Sequence, residues 1–217
     1  MKDSATVDHV EISADEVLLE GDLVLPAQAR GLVLFAHGSG SSRLSPRNRF
    51  VAGALQEAGL GTLLIDLLSR REELIDADTG HLRFNIEFLA ERLERAADWL
   101  MNSPATGRLR LGLFGASTGA AAALVMASRR REVAAVVSRG GRPDLADAVL
   151  DLVQAPTLLI VGEHDEHVLE LNEKALKRLA ARPARLEIVP GATHLFPEPG
   201  ALERVATLAR EWFVQHL

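Results

Sequence analysis

The sequence predicts an α/β fold in which a mostly parallel β-sheet carries helices on both faces. Short apolar stretches alternate with stretches of helical length along nearly the whole chain of 217 residues, as in proteins built from β-α-β units. Several of these stretches are apolar at every position, which is typical of strands buried on both faces of a sheet. The first two stretches with strand character have no helix between them, which predicts an antiparallel edge at the N-terminus.

The N-terminal half is predicted to form four strands and two helices. The strands are Val7–Ile12, Val17–Leu25, Gly31–Ala36 and Gly61–Leu67, and the helices are Pro46–Ala58 and Asn85–Met101. The first helix has clear start and stop signals, with Ser45 as N-cap, Pro46 at its first position and Gly59 after its end. The polar stretch 69–84 is predicted to be a loop over one end of the sheet, too short for a separate lid domain.

The C-terminal half repeats the pattern of a strand followed by a helix. The strands are Leu109–Phe114, Val133–Val137, Pro156–Val161 and Arg185–Val189, and the helices are Thr118–Arg129, Asp144–Leu152, Leu169–Ala180 and Pro199–His216. Because a helix follows each strand, neighbouring strands are expected to run parallel. No linker, repeat or low-complexity segment interrupts this order, so residues 1–217 are predicted to form one domain.

Composition and charge narrow the class of partner. Hydrophobic residues make up 47% and charged residues 25% of the chain, as in ordinary globular proteins. The net charge of −6 argues against nucleic acids and anionic membranes, and the lack of tyrosine argues against base stacking. The chain has no cysteine, which excludes disulfides, thiolate metal sites and a cysteine nucleophile. The sequence shows neither a signal peptide nor an apolar run long enough to span a membrane, so we expect a cytoplasmic protein.

A glycine–serine motif lies where a strand is predicted to become a helix. It reads Gly115-Ala116-Ser117-Thr118-Gly119, and it matches the Gly-x-Ser-x-Gly elbow that holds a nucleophilic serine at the carboxyl edge of a parallel sheet. The helix that follows directs its N-terminal amides at the reacting oxygen. The alternative is a glycine-flanked turn whose serine caps the helix. We interpret Ser117 as a nucleophile.

A nucleophilic serine needs a histidine base, which in this fold comes late in the chain, after the acid. His194 stands between the last predicted strand and the last predicted helix, at the same sheet edge as Ser117. It is therefore the predicted base. His37, His164 and His167 also follow strands and remain alternatives.

The predicted acid is Asp165, which comes three residues after Gly162, the glycine that ends its strand. Glu163 and Glu166 compete within the same segment, and Asp144 follows the preceding strand. The cluster around Asp165 also contains two histidines three residues apart, but no third ligand stands beside them, and a solvated loop explains them better than a metal site does.

The oxyanion hole of such a site needs two backbone donors. The amide of Thr118, directly after the nucleophile, is predicted to supply one. The second is predicted to be the amide of Ser39, in the glycine–serine loop 37–42, although a simple flexible turn is the alternative reading.

Arg139 and Arg142 also follow a strand at this edge, where either could contact an anionic substrate group. A surface loop explains them equally well, and they are left out of the catalytic set.

Four segments together resemble the dienelactone hydrolase-like branch of the α/β-hydrolase superfamily. They are HGSGSS, GASTG, GEHDEHV and ATHLFPEPGALERVA, and the resemblance runs from about Gly31 to Leu217. It implies a Ser117–Asp165–His194 triad with Ser39 and Thr118 as oxyanion donors. Dienelactone hydrolases proper use a cysteine nucleophile, which this chain lacks, so the resemblance points to other esters. The prolyl oligopeptidase relatives use a tyrosine oxyanion donor, and its absence here weakens a peptidase reading.

The sequence thus predicts a serine hydrolase of the carboxylesterase type. Its substrate would be a small-molecule ester, and it would need no cofactor and no metal. A thioesterase or acyltransferase with the same triad is the first alternative, and a non-catalytic member of the fold that binds a ligand is the second. No oligomeric state is predicted.

Overall fold

The computed structural model describes residues 6–217, whose strands form one eight-stranded sheet. The strands are β1 (Val7–Ala14), β2 (Val17–Val24), β3 (Gly31–Ala36), β4 (Gly61–Ile65), β5 (Arg110–Ala116), β6 (Val133–Arg139), β7 (Thr157–Gly162) and β8 (Ala184–Val189). The α-helices are α1 (Pro46–Glu57), α2 (Arg70–Thr79), α3 (Ile86–Asn102), α4 (Thr118–Arg129), α5 (Glu166–Arg178) and α6 (Ala201–His216), and a 3-10 helix spans Pro143–Leu152.

The order of strands in the sheet is β1-β2-β4-β3-β5-β6-β7-β8. The first two strands form an antiparallel hairpin at one edge, and β2 pairs antiparallel with β4. All remaining neighbours are parallel. The predicted α/β-hydrolase architecture, with its antiparallel N-terminal edge, is confirmed.

Helices cover both faces of the sheet and create two hydrophobic layers. One layer lies under α3, α4, α5 and the 3-10 helix, and the other lies under α1 and α6. Alternate residues of β3 enter opposite layers, with Leu34 in the first and Phe35 in the second. Burial on both faces explains why this strand is apolar at every position.

The prediction of a loop at 69–84 is wrong, because α2 lies within it. Ser69 accepts a hydrogen bond from the backbone amide of Glu72, whose carboxylate accepts one from the amide of Ser69. This capping box begins the helix, and Gly80 ends it in the left-handed conformation. The helix is polar on nearly all sides, so it has no apolar stripe from which a helical period could be read.

Several boundaries also differ from the prediction, and two of them matter for the site. Strands β5 and β6 continue two residues further than predicted, to Ala116 and Arg139. Helix α5 begins at Glu166 rather than at residue 169, which makes Asp165 its N-cap. Segment 143–152 forms a 3-10 helix. Among the helices of residues 6–217, none is long and apolar enough to cross a membrane.

Candidate active site

Ser117 stands at the sharp turn between β5 and α4. Its backbone has φ 51° and ψ −120°, a region that non-glycine residues adopt at a cost of about 1–3 kcal/mol. Neighbouring backbone groups hold this conformation. The Ser117 N–H donates to the carbonyl of Arg139 at 3.2 Å, and the Ser117 carbonyl accepts from the amides of Ala120 at 3.1 Å and Arg142 at 3.2 Å. The serine itself is half-buried at the carboxyl end of its strand.

The glycines on either side of the turn leave no room for a side chain. A Cβ on Gly115 would lie 2.3 Å from the Cα of Ala120, and one on Gly119 would lie 2.3 Å from the carbonyl oxygen of His37. Both contacts are with backbone atoms, which cannot move aside cheaply. The first glycine of the Gly-x-Ser-x-Gly motif therefore makes room for the start of α4, and the second makes room for the chain at the end of β3.

His194 and Asp165 form a direct pair. Nδ1 of His194 lies 2.6 Å from Oδ2 of Asp165, as required for an acid that orients the imidazole and fixes its tautomer. The carboxylate is largely shielded, whereas the histidine side chain is 39% exposed. A Cβ on Gly140 would lie 3.3 Å from both Cε1 and Nδ1 of His194. The imidazole thus packs against the residue that follows Arg139, the backbone partner of Ser117.

The alternative histidine His37 is fully engaged elsewhere. Its Nδ1 donates to the carbonyl of Gly38 at 2.9 Å, and its Nε2 accepts from the amide of Leu67 at 3.0 Å. Burial lowers the pKa of His37, although the Gly38 carbonyl and Asp66 oppose this shift. A neutral imidazole with both nitrogens bonded cannot accept the proton of Ser117. His37 instead ties the ends of β3 and β4 together.

The alternative acids are engaged as well. The carboxylate of Asp144 receives two hydrogen bonds from Arg142, at 2.7 and 2.8 Å. That of Glu163 accepts from the amide of Gly191 at 2.7 Å. Asp165 is the acid that contacts His194, while His164 and His167, its neighbours in sequence, stand on either side of it.

The two predicted oxyanion donors lie next to each other. The Ser39 amide donates to the side-chain oxygen of Thr118 at 2.9 Å. Thr118 is buried and occupies the first position of α4, so its own N–H has no acceptor one turn earlier in the helix. The structure therefore joins the loop after β3 to the elbow through the Thr118 hydroxyl. Sequence reasoning assigned a role to the Thr118 amide only.

A cleft of about 540 Å³ opens beside this pair of residues. The glycine–serine loop 37–42 and the start of α1 form one wall, which includes Ser39 and Arg47, and Thr118 contributes to the lining. The opposite wall comes from α2 and the turn after it, through Glu73, Asp76 and Arg83. The cleft therefore lies beside the two predicted oxyanion donors, and α2 forms one of its walls.

Comparison with known proteins settles the family. The family model for the dienelactone hydrolase family matches residues 21–214. The chain belongs to the dienelactone hydrolase family. Within it, the crystal structure of a dienelactone hydrolase from Anabaena variabilis is 59% identical, with a TM-score of 0.96 over 98% of this chain and 99% of that one.

Two further relatives extend the comparison. A Mycobacterium tuberculosis protein named as a phosphoribosyl transferase is 54% identical over 97% of this chain, which spans only 46% of that relative's length. Est1E from Butyrivibrio proteoclasticus is 16% identical with a TM-score of 0.81, over 98% of this chain and 99% of Est1E. At this identity Est1E supports the α/β-hydrolase fold alone.

Of the two interpretations of Arg139, the surface loop is wrong. It ends β6, and its side chain is 7% exposed. Its Nε and Nη1 atoms are buried without a hydrogen-bond partner. In this member of the dienelactone hydrolase family, a buried guanidinium therefore belongs to the residue that pairs with the Ser117 amide. The apolar pattern of β6 indicated the strand, but no sequence signal indicated that its last side chain is buried.

Proposed function

We propose that this protein is a serine hydrolase of the carboxylesterase type, which cleaves small carboxylic esters through an acyl-enzyme on Ser117. The geometry that supports this proposal is a serine in a strained elbow at the same sheet edge as a histidine–aspartate pair. Because such strain is costly, it is typical of functional sites. Membership of the dienelactone hydrolase family agrees with hydrolytic chemistry.

In the proposed mechanism, the Ser117 oxygen attacks the ester carbonyl carbon while Nε2 of His194 takes the hydroxyl proton. Asp165 keeps Nδ1 protonated and stabilises the imidazolium. The carbon–oxygen bond to the leaving group then breaks, and His194 returns the proton to the departing alcohol. Water, deprotonated by His194, attacks the acyl carbon and releases the acid and Ser117. Neither a cofactor nor a metal takes part.

The amides of Thr118 and Ser39 are proposed to stabilise the tetrahedral oxyanion. The Ser39 amide donates to the Thr118 hydroxyl in the unliganded protein, so it exchanges this acceptor for the substrate oxygen. The exchange replaces a neutral hydrogen bond by a charge-assisted one, which is stronger. The stronger hydrogen bond therefore stabilises the transition state, in which the negative charge develops on the substrate oxygen.

Labelling with a small fluorophosphonate tests the proposed nucleophile. The reagent reacts with an activated serine beside an oxyanion hole and requires no assumption about the substrate. We expect intact-mass spectrometry to show one adduct on the native chain and none on Ser117→Ala. Ser128→Ala is a matched control, because Ser128 lies in α4 and donates to the carbonyl of Val125, and it should label as the native chain does.

A folded native chain that forms no adduct would contradict the triad and favour a ligand-binding role. If the adduct forms, matched oxygen esters and thioesters, assayed with and without an added alcohol, separate the esterase from the thioesterase and the acyltransferase. Faster hydrolysis of the oxygen esters, with no transfer to the alcohol, is the expected result.

A further inference from the structure

Arg139 is a buried cation with no carboxylate partner among the described residues, 6–217. Two of its guanidinium nitrogens are buried without a hydrogen-bond partner. Burial lowers the pKa of Arg139 to about 10, the charge of Arg47 lowers it as well, and no acidic group among residues 6–217 raises it. The side chain nevertheless remains protonated at neutral pH. Buried charges in proteins are normally paired, because an uncompensated one is strongly unfavourable.

A second guanidinium adds to this positive potential. Arg47 occupies the second position of α1, and its Nε atom is also buried without a partner. The N-terminus of a helix carries a partial positive charge, and the first turn of α1 contains no acidic residue to offset it. Arg139 follows Val137 by two residues on β6, so its side chain points to the sheet face that α1 covers. Both cations therefore belong to the same region.

Other arginines around the cleft are neutralised by carboxylates. Arg43 forms ion pairs with Glu20, Asp22 and Asp66, and Arg142 pairs with Asp144. The chain as a whole carries a net charge of −6. The unbalanced charge of Arg139 and Arg47 is therefore local and does not reflect a general excess of basic residues.

This region lies directly beside the candidate catalytic groups. The carbonyl of Arg139 accepts the Ser117 amide at 3.2 Å, and the next residue packs against His194. Arg47 lines the cleft that also contains Ser39 and Thr118, and it borders a hollow under the loop that carries Leu195. An anion held at Arg47 by the two positive charges would thus be part of a molecule that reaches the cleft beside Ser117.

We propose that Arg139 and Arg47 bind a dianionic phosphate group on the ester substrate. Two uncompensated positive charges match two negative ones, and guanidinium groups donate paired hydrogen bonds to phosphate oxygens. A carboxylate would balance only one of the charges. This inference rests on the proposed esterase function and specifies its substrate class as phosphate-bearing carboxylic esters.

The first test compares three 4-nitrophenyl esters that differ only at the far end of the acyl chain, where they carry a phosphate, a carboxylate or a methoxy group. We expect the native protein to prefer the ester that carries the phosphate over the one that carries the methoxy group by about a hundredfold in kcat/KM. Each charge-assisted contact should contribute roughly tenfold to this preference. In Arg139→Met and Arg47→Met, the ratio of kcat/KM for the phosphate-bearing ester to that for the methoxy ester should fall towards one. Arg49→Gln is the matched control, because Arg49 lies on the same helix and pairs with Asp22.

The second test needs no catalysis and so separates failure of this inference from failure of the proposed function. Inorganic phosphate at constant ionic strength should raise the melting temperature of the native protein and of Arg49→Gln but not of Arg139→Met. Without phosphate, Arg139→Met should melt above the native protein, since it removes an unpaired buried charge. A loss of folding therefore does not mimic the expected result.

Three outcomes would overturn the proposal. Equal kcat/KM values for all three esters would show that the site does not select substrates by charge. A higher kcat/KM for the ester that carries the carboxylate than for the one that carries the phosphate would show that the site binds a monoanion. Equal stabilisation of the native protein and Arg139→Met by phosphate would place the anion elsewhere.

Discussion

At the scale of single residues, backbone hydrogen bonds hold Ser117 in its strained conformation, and the flanking glycines leave room for the turn. The φ of 51° is stabilised by three backbone hydrogen bonds around the elbow, and Gly119 lets that elbow pack against the carbonyl of His37. The addition of a single carbon atom at Gly119 should therefore disturb Ser117, the proposed nucleophile, without altering any group proposed to take part in the reaction.

Gly119→Ala is expected to reduce fluorophosphonate labelling at least a hundredfold and to destabilise the fold by about 1–3 kcal/mol, the usual cost of overpacking. The new Cβ would lie 2.3 Å from a backbone oxygen, so the turn must shift. Labelling rates and urea denaturation measure the two effects. Gly53→Ala is the control: Gly53 lies within α1 with open space around its Cα, and alanine there should stabilise by about 0.5–1 kcal/mol. Native labelling rates in Gly119→Ala would show that the elbow tolerates the shift.

The motif and the order of residues along the chain predict Ser117, His194 and Asp165 as a set, and the structure pairs two of them, His194 and Asp165. Residue identity alone could not predict that Arg139 is buried, because this depends on how the helices pack over the end of β6. The sequence shows Arg139 between two strand residues and a glycine pair, a context that suits a surface turn equally well. The hydrogen bond from the Ser39 amide to Thr118, 79 residues later in the chain, could not be predicted from the sequence either.

At the scale of elements, burial determined which segments could be predicted. The bounds of β3 and α4 agree with the prediction to the residue, since all of β3 and the residues of α4 from Thr118 to Ala127 are buried. Helix α2 was missed because its stability comes from its ends rather than from an apolar face. Its capping box, Ser69 followed by Glu72, is visible in the sequence and was the one signal that could have revealed it.

The C-terminal end of α2 is fixed by the buried carboxylate of Asp76. It accepts from the amide of Leu82 at 2.6 Å and from Nε of Arg83 at 2.5 Å. Burial raises the pKa of Asp76, but the hydrogen bonds from Arg83 and the two backbone amides outweigh it and hold the pKa below the ordinary value. Asp76 thus anchors the helix that forms one wall of the cleft.

Asp76→Asn should destabilise the protein by about 1–3 kcal/mol at neutral pH, because it leaves buried donors without their charged acceptor. The pKa of Asp76 in the folded protein lies below the ordinary 3.8. The native protein should therefore exceed the variant in free energy of unfolding by the full amount above pH 3.8, and this difference should disappear as the pH falls through the pKa of the folded state. Urea denaturation of both proteins from pH 7 to strongly acid solution measures this convergence. Asp78→Asn, at an exposed position of the same helix, should stay within about 0.5 kcal/mol of native. A stability difference that is constant with pH would contradict the role of the carboxylate.

At the scale of the whole molecule, the parallel sheet gathers the candidate site from distant parts of the chain. Ser117, Asp165 and His194 follow the carboxyl ends of three different strands. The loop after β3 and Arg139 at the end of β6 lie at the same edge of the sheet. In open α/β sheets, ligands bind at this edge. The site therefore depends on the correct register of five strands, which only a cooperatively folded sheet maintains.

Cooperative folding of residues 1–217 as one domain can be measured with the two tryptophans of the chain. Trp99 lies on α3 and Trp212 on α6, so they report on opposite faces of the same sheet. In Trp99→Phe and Trp212→Phe, the remaining tryptophan should give a urea transition that coincides with the one followed by circular dichroism, because neither helix layer can stay packed without the strands between them. The substitutions can shift the midpoint themselves, so each fluorescence curve is compared with circular dichroism of the same variant. A fluorescence transition that precedes loss of secondary structure in one variant would show that the corresponding layer unfolds separately, and the single-domain prediction would then be wrong.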